Sequence, residues 1–201
     1  AELLRNGAVV GMPTETVYGL AADARNPEAV RQIFAAKGRP ADNPLIVHIA
    51  EMRALEQVAA TVPPLAEKLA ERFWPGPLTM ILPKRKEIPE ITSGGLDTVG
   101  IRMPSHPVAR ALIQLSGVPI AAPSANISGY PSPTTAQHVM RDMQGKIAAV
   151  VDGGACSVGV ESTVIALEPN GTVRILRPGF VTKEMLEEVA PEVTLDPAIL
   201  H

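Results

Sequence analysis

The sequence predicts an α/β protein with a twisted, open, mixed β-sheet flanked by helices. Short apolar or β-branched segments bounded by Gly, Pro or Asn alternate with longer segments of helical periodicity. Asn170 and Gly171 separate the last two β-like segments, and this dipeptide is typical of a hairpin turn. Alternating strands and helices favour parallel pairs, and the hairpin adds an antiparallel pair. The chain of 201 residues fits one domain of this class.

Eight segments have the length and composition of β-strands. Each is short and rich in apolar or β-branched residues. The predicted strands cover residues 8–12, 45–49, 78–82, 99–103, 119–122, 148–151, 163–167 and 173–176.

Six segments between these strands are predicted as helices. The first begins after Asn26, a good N-cap, has Pro27 at its first position and ends at Gly38. Thr182 is a comparable cap for the last helix. The other five predicted helices cover residues 52–60, 64–73, 107–115, 135–143 and 183–189.

Composition argues against several classes of protein. With 18 Lys and Arg against 21 Asp and Glu, and only 3% aromatic residues, the chain is a poor candidate for binding mainly to nucleic-acid phosphates and bases. Cys156 is the only cysteine, so an intrachain disulfide or a cysteine-based zinc site is impossible. Histidines 48, 106, 138 and 201 lack the spacing of metal ligands.

The sequence contains no segment that we expect to cross a membrane. Residues 111–140 carry no Asp, Glu, Lys or Arg, but proline, glycine and amide side chains interrupt the segment. No signal peptide opens the sequence, and a cytoplasmic protein is therefore expected.

The candidate functional residues lie in five polar loop segments. In α/β sheets ligands bind beyond the strand ends, where loops of this kind converge. No phosphate-loop, dinucleotide, zinc-protease or nucleophile-elbow motif is present, so a nucleotide must be held in another way. The segments are residues 13–20 (PTETVYGL), 37–45 (KGRPADNPL), 100–104 (GIRMP), 123–129 (PSANISG), and 161–163 (EST) together with 177–179 (RPG).

Lys37 and Arg39 admit two interpretations. Cations at a helix C-terminus are favoured by the helix dipole, which alone would explain the pair. Gly38 and Pro40, however, restrict the backbone around both cations, and a fixed Lys–Arg pair suits a polyanion such as a triphosphate.

Other loop and strand residues also leave alternatives open. Arg102 lies in an apolar strand, where it must either pair with an internal carboxylate or receive a ligand anion. Ser124 and Asn126 could simply form a turn or cap. Ser162 lacks a histidine motif, so hydrogen bonding is more plausible than nucleophilic catalysis. His48, alone in a strand, is more often a core histidine than a site residue.

Taken in order, the segments resemble the YrdC/TsaC family, the threonylcarbamoyl-AMP synthases. The motifs are P-T-E-T-V-Y-G-L, K-G-R-P-x-x-N-P-L, F-W-P-G-P-L-T, G-I-R-x-P, S-A-N-x-S-G, E-S-T-V and R-P-G. The resemblance extends from about residue 1 to about residue 189. It implies a YrdC-like fold, a twisted open sheet with a positively lined concave face.

The resemblance also implies a reaction. L-threonine, bicarbonate or CO2, and ATP would give threonylcarbamoyl-AMP and pyrophosphate, which makes the enzyme a nucleotidyltransferase (L-threonylcarbamoyladenylate synthase). Mg²⁺ is expected with the phosphates, without a metal site of protein ligands. The product would pass to the tRNA threonylcarbamoyl transferase machinery for threonylcarbamoyladenosine modification beside the anticodon, and weak tRNA binding is a further expectation.

Site residues follow from the same resemblance. The family's Lys-x-Arg and Ser-x-Asn set, expected to be catalytic at the phosphates, corresponds to Lys37, Arg39, Ser124 and Asn126. Residues expected to contact ATP are Arg39, Asn43, Thr98, Ser124, Ser132 and Arg177. Residues expected to contact L-threonine are Thr16, His48, Arg102, Ala122 and Ser162. Thr98 and Ser132 have no signal of their own, and no general base is implied.

One catalytic domain is expected over residues 1–201, with residues from about 190 onwards forming a tail or the beginning of a linker. Two other functions are alternatives to this one. Carbamoyl transfer through carbamoyl-AMP occurs in hydrogenase-maturation proteins with a similar domain, but those carry acylphosphatase or zinc segments that this sequence lacks. An RNA-binding module is disfavoured by the acidic net charge and the few aromatic residues.

Overall fold

A computed structural model describes the backbone of residues 1–200 and the side chains of residues 1–199. His201, one of the four histidines considered above, lies outside the described residues. Strands within this part of the chain are β1 (Val10–Met12), β2 (Gly19–Asp23), β3 (Ile46–His48), β4 (Leu78–Pro83), β5 (Thr98–Arg102), β6 (Ile120–Ala121), β7 (Ala149–Val150), β8 (Thr163–Leu167), β9 (Thr172–Arg177) and β10 (Glu192–Leu195).

The helices surround this sheet and confirm the caps expected from the sequence. They are α1 (Glu2–Arg5), α2 (Pro27–Lys37), α3 (Pro64–Phe73), α4 (Glu90–Ser93), α5 (Pro107–Ser116), α6 (Ala136–Met143) and α7 (Lys183–Glu187), with 3₁₀ turns at Met52–Gln57 and Pro197–Leu200. Asn26 accepts two backbone N–H bonds at the beginning of α2, and Gly38 ends it with φ +70°. Thr182 caps α7. None of the described helices is long and apolar enough to cross a bilayer.

The strands form one mixed sheet in the order β10-β9-β8-β4-β5-β3-β6-β2-β1-β7. Four neighbouring pairs are parallel: β1 with β7, β3 with β5, β4 with β8, and β9 with β10. The remaining pairs are antiparallel, including the β8–β9 hairpin around Gly171, where φ is +88°. The predicted fold class, an open mixed sheet flanked by helices, is therefore confirmed.

Several elements differ from the sequence predictions, including the short helices α1 and α4, which were not expected. Residues 19 and 20, expected to end a loop motif, begin strand β2, because this Gly- and Ala-rich segment gains ladders from both β1 and β6. The helix predicted over residues 52–60 is wrong, since the segment forms a 3₁₀ turn that ends at Gln57. Residues 192–195, expected in a tail or linker, pair with β9 as strand β10.

The sheet topology gathers several strand ends at one edge. Strands β3 and β5 run in parallel and end in register at His48 and Arg102. Strand β4 is antiparallel to β5, so β4 and its parallel neighbour β8 begin at this edge. Strand β9 returns to it and ends at Arg177, beside Val164. Polar residues that are up to 163 positions apart in the sequence, from Thr14 to Arg177, therefore meet at this edge.

Candidate active site

A cavity of about 430 Å³ lies at this edge of the sheet. Most of the residues expected to contact ATP or L-threonine line it, although they come from separate loops and strands. They are Thr16, Lys37, Arg39, Asn43, His48, Arg102, Ala122, Ser124, Ser162 and Arg177.

Three expected site residues do not line the cavity. Asn126 lies behind Ser124 and accepts hydrogen bonds from the Ser124 hydroxyl and, at 3.3 Å, from Lys37 Nζ. Ser132 donates to Glu161 Oε1 at 2.9 Å, and Glu161 is itself a lining residue. Thr98 begins β5, at the opposite end of the strand from Arg102.

The Lys37 ammonium group is buried and holds the loop that follows β6. Its Nζ donates to the backbone oxygens of Ser124 at 2.6 Å and Asn126 at 3.0 Å. Burial lowers the pKa of Lys37 to about 8, and the Arg39 charge contributes in the same direction. With three oxygen acceptors around three N–H donors, Lys37 supports the Ser124–Asn126 segment as well as facing the cavity.

Arg39 is held much less tightly. Its guanidinium carbon lies 5.6 Å from the centroid of the Phe34 ring, a cation–π distance. Within the described residues its Nε is buried without a hydrogen-bond partner, and no carboxylate forms an ion pair with it. Arg39 therefore brings a positive charge to the cavity that the described carboxylates leave uncompensated.

Arg102 is almost fully buried, and three of its nitrogens have protein partners. Nη2 forms an ion pair with Glu15, Nη1 donates to Thr16 Oγ1 at 3.0 Å, and Nε donates to the Gly76 carbonyl at 3.1 Å. A guanidinium has five N–H donors, so two remain, and Arg102 lines the cavity. The internal carboxylate and the ligand anion, posed as alternatives by the sequence, are therefore compatible.

The charge of Arg102 shifts the pKa values of two neighbouring groups, Glu15 and His48. Burial alone would raise the pKa of the Glu15 carboxyl, but the Arg102 charge and the Ser105 N–H together lower it below its usual value. Burial, reinforced by Arg102, lowers the pKa of His48 to about 3, so its imidazole is neutral at neutral pH. Its Nδ1 lies 3.2 Å from the Ile46 carbonyl oxygen. His48 is thus both a core histidine and a lining residue.

A second ion pair links Glu161 and Arg177. Arg177 Nη1 lies 3.0 Å from Glu161 Oε2, while its Nε and Nη2 donate to the carbonyl and hydroxyl of Ser162 at 3.0 and 3.1 Å. The Ser162 hydroxyl also lies 2.8 Å from Thr79 Oγ1. Arg177 therefore fixes both the backbone and the side chain of Ser162.

The loop carrying Thr16 is anchored from several directions. The Tyr18 hydroxyl donates to the Gly154 carbonyl at 2.7 Å and accepts from the Gly153 N–H at 3.1 Å. Gly159 N–H donates to the Thr16 carbonyl. At Gly19 an added Cβ would lie 3.1 Å from Ala122 Cβ, so glycine permits the close approach of this loop to the segment after β6.

Two carboxylates that the sequence analysis did not assign, Glu15 and Glu161, organise the cavity. A signal for them existed, since an arginine in an apolar strand requires a carboxylate and the five loop segments contain only Glu15, Asp42 and Glu161. Choosing between these three needed the fold. Cys156 is half-buried, and burial raises the pKa of its thiol to about 11, as for a small structural residue.

The cavity has two parts that differ in packing. The buried end consists of Thr16, His48, Arg102 and Ser162, none of which is more than 4% exposed. The open end consists of Arg39, Asn43 and Ser124, which are half-buried or exposed loop residues.

Fold and site together define an α/β protein whose sheet edge forms a cation-rich cavity suited to an anionic ligand. The chain matches the family model Sua5_yciO_yrdC, described as telomere recombination, over residues 2–179. It belongs to this family.

Two relatives named threonylcarbamoyl-AMP synthase are similar over nearly the whole chain. The Pyrococcus abyssi protein is 56% identical over 99% of this chain, and the Bacillus subtilis protein is 55% identical over 98%. A crystal structure of P. abyssi Sua5 complexed with L-threonine superposes with a TM-score of 0.95 at 55% identity, covering 99% of this chain and 58% of that one. The chain spans 58% and 57% of the lengths of the two relatives.

Proposed function

We propose that this chain synthesises threonylcarbamoyl-AMP from L-threonine, bicarbonate or CO2, and ATP, and releases pyrophosphate. The observation that carries the proposal is the 56% identity, over 99% of the chain, to a threonylcarbamoyl-AMP synthase. A cavity lined by Lys37, Arg39, Arg102 and Arg177 supports it, because both the triphosphate and the amino-acid carboxylate are anions. The enzyme class that follows is a nucleotidyltransferase.

The proposed chemistry needs positioning and charge neutralisation more than a protein nucleophile. The threonine amine adds to CO2 and loses a proton, giving an N-carboxylate. An oxygen of that carboxylate attacks the α-phosphorus of ATP. The bond between the α-phosphorus and the oxygen that bridges it to the β-phosphorus breaks, which releases pyrophosphate. Fixed donors facing the developing charges can supply most of the rate enhancement in such a step.

We assign L-threonine to the buried end. Arg102 has two N–H donors left for a carboxylate, which suits bidentate recognition. Thr16, His48, Ser162 and the backbone near Ala122 would contact the amine and the hydroxyl. The P. abyssi structure in complex with L-threonine supports an amino-acid site in this fold.

We assign ATP to the open end and the adjoining cations. Arg39, Asn43, Ser124 and Arg177 would contact the nucleotide, with Lys37 and Asn126 beside the phosphates. Ser132 would contact the nucleotide next to Glu161, to which it is hydrogen-bonded. For a contact with Thr98, the nucleotide would have to extend to the opposite end of β5 from Arg102. Both assignments rest on motif position.

Mg²⁺ fits this site only as a companion of the phosphates. Among the described residues no three His, Cys, Asp or Glu side chains form a group that could hold a metal ion. The carboxylates of Glu15 and Glu161 are already engaged by Arg102 and Arg177. Phosphate oxygens would therefore hold the ion, which would offset their charge.

Pyrophosphate release tests the proposal directly. We expect release from ATP only when both L-threonine and bicarbonate are present, and we expect Arg31→Ala, which removes an exposed ion pair on α2, to leave it unchanged. Release that is independent of L-threonine would contradict the proposal, as would salt-dependent tRNA binding with no turnover.

We further propose that residues 1–201 act as one catalytic domain. Its product would serve the tRNA threonylcarbamoyl transferase machinery in the cytoplasm, where tRNA is used. Weak direct tRNA binding would appear as an affinity that falls steeply with salt concentration in a filter or polarisation assay.

A further inference from the structure

The hydroxyl protons of two residues at the buried end can be assigned from their neighbours. Guanidinium and backbone N–H groups only donate hydrogen bonds, and carbonyl oxygens only accept them. A hydroxyl has one proton to donate and two lone pairs to accept with. Where two hydroxyls meet, the other partners of each one therefore decide which of them donates.

Ser162 is left with a free proton. Its Oγ accepts from Arg177 Nη2 at 3.1 Å and lies 2.8 Å from Thr79 Oγ1. Thr79 is fully buried in β4 and does not line the cavity. In the part of the chain that the structure describes, no other group accepts from its hydroxyl. If Ser162 donated to Thr79, the Thr79 proton would be buried without an acceptor, which is costly. Thr79 is therefore the donor, and the Ser162 proton is available to the cavity.

The Thr16 hydroxyl, by contrast, has no proton left for a ligand. The hydroxyl of Thr14 donates its only proton to the Val17 carbonyl at 2.6 Å and accepts from the Thr16 N–H at 3.2 Å. The 2.9 Å contact between the Thr14 and Thr16 hydroxyls must then have Thr16 as the donor. Thr16 Oγ1 also accepts from Arg102 Nη1, so one lone pair remains for a ligand.

We propose that Thr79 is a positioning residue that keeps Ser162 a hydrogen-bond donor to the bound amino acid, opposite Thr16, which is an acceptor. The inference rests on the proposed function for the identity of that amino acid. A ligand fits when an ammonium or hydroxyl proton reaches Thr16 and an oxygen without a proton, such as a carboxylate oxygen, reaches Ser162. A hydroxy amino acid has both groups within one small molecule.

Thr79→Val tests this role, because valine keeps the β-branched shape and removes the hydroxyl. The Ser162 hydroxyl then becomes free to rotate, and we expect the KM and the calorimetric Kd for L-threonine to rise roughly 3- to 10-fold, the equivalent of about one hydrogen bond. The KM for ATP and kcat should change less than about twofold. Thr79→Ser restores the hydroxyl and should return both constants for L-threonine to within about twofold of the wild-type values.

Thr92→Val is a matched control. Thr92 is also a fully buried threonine, but its hydroxyl donates to the Ala24 carbonyl at 2.8 Å and does not face the cavity. We expect this change to lower the melting temperature and to leave L-threonine binding unchanged. A Kd for L-threonine that rises equally in Thr92→Val and Thr79→Val would overturn the positioning role.

The Ser162→Ala background shows whether Thr79 acts through Ser162. In that background Thr79→Val should have no further effect on the Kd for L-threonine, since the donor that it positions is gone. A rise of the same fold in both backgrounds would overturn the inference while leaving the proposed function intact. Failure of the wild-type chain to bind L-threonine at all would overturn both.

Discussion

The two ends of the cavity use cations in different ways. At the buried end Arg102 is 3% exposed and neutralised by Glu15, and two further N–H donors are fixed by Thr16 and the Gly76 carbonyl. At the open end Arg39 is half-buried and makes a cation–π contact with the Phe34 ring. Among the described residues it has no carboxylate partner. One end is rigid and nearly neutral, and the other is adaptable and positive.

This difference suits two kinds of ligand. Discrimination between small, similar molecules depends on fixed donors and acceptors, because a mismatch leaves buried polar groups unpaired. Attraction of a polyanion depends mainly on net charge and tolerates movement. The buried end thus has the properties of a specificity site, and the open end those of a phosphate-binding surface. Substitutions at the two ends should accordingly change different measured quantities.

The largest effect is expected from breaking the buried ion pair. Glu15→Ala leaves the Arg102 charge buried without a counter-ion, and the free energy of unfolding should fall by about 3–5 kcal/mol in urea denaturation. The double variant Glu15→Leu with Arg102→Met removes both charges and should recover part of this loss. A single variant that loses less than about 1 kcal/mol would show that water already solvates Arg102, and the buried end would not be rigid.

The next largest effect is expected on ATP affinity at the open end. Arg39→Ala should weaken ATP binding by about 1.5–3 kcal/mol in calorimetry, the range for a hydrogen bond to a charged group. The unfolding free energy should change by less than about 1 kcal/mol, because only the cation–π contact with Phe34 is lost. If ATP affinity stayed constant, Arg39 would not belong to the nucleotide site.

Lys37 is buried like Arg102 and lines the cavity like Arg39. Its substitution should therefore affect both stability and turnover. An exposed cation contributes little to stability, but Lys37 is 2% exposed and holds the Ser124 and Asn126 carbonyls. Lys37→Met should therefore lower the unfolding free energy by about 1–3 kcal/mol as well as the rate of pyrophosphate release. Unchanged stability would place the ammonium group in the cavity and free of these carbonyls.

The effect that is smallest near neutral pH is a pH dependence at the buried end. Folding lowers the pKa of His48 from 6.5 to about 3, so between these values the unfolded chain binds a proton that the folded chain excludes. The contribution of His48 to stability is fully present above about pH 6.5 and declines as the pH falls towards 3, by up to about 1.4 kcal/mol per pH unit. His48→Gln should make the plot of unfolding free energy against pH flatter in this window. An identical slope in the variant would contradict the burial of a neutral imidazole.

Local sequence predicted those elements whose signals are local. Asn26, Pro27 and Gly38 bound α2 as expected, because capping and a left-handed glycine act within one turn. The Asn170–Gly171 hairpin is confirmed for the same reason. Strand β2 was missed because its Gly–Leu–Ala–Ala–Asp sequence has weak strand propensity and is stabilised by ladders to two distant strands.

The prediction of the site from the sequence was likewise limited to signals that lie within each motif. Motif order singled out Thr16, Arg39, Arg102, Ser162 and Arg177, all of which the fold brings to one cavity. It did not supply the partners that hold them, since an ion pair such as Glu15 with Arg102 joins residues 87 positions apart. A carboxylate so far away in the sequence has no signature in the local pattern around an arginine.

The sequence by itself therefore determined the fold class, the caps, the hairpin and which residue types could meet an anionic ligand, because these depend on propensity and on neighbours along the chain. Only the tertiary structure decided that, among the described residues, Arg102 and Arg177 are neutralised while Arg39 is not, and that the hydroxyls of Thr79 and Ser162 meet. Charge compensation and hydroxyl direction depend on distances across the sheet. Those distances follow from strand order and register, which no local pattern encodes.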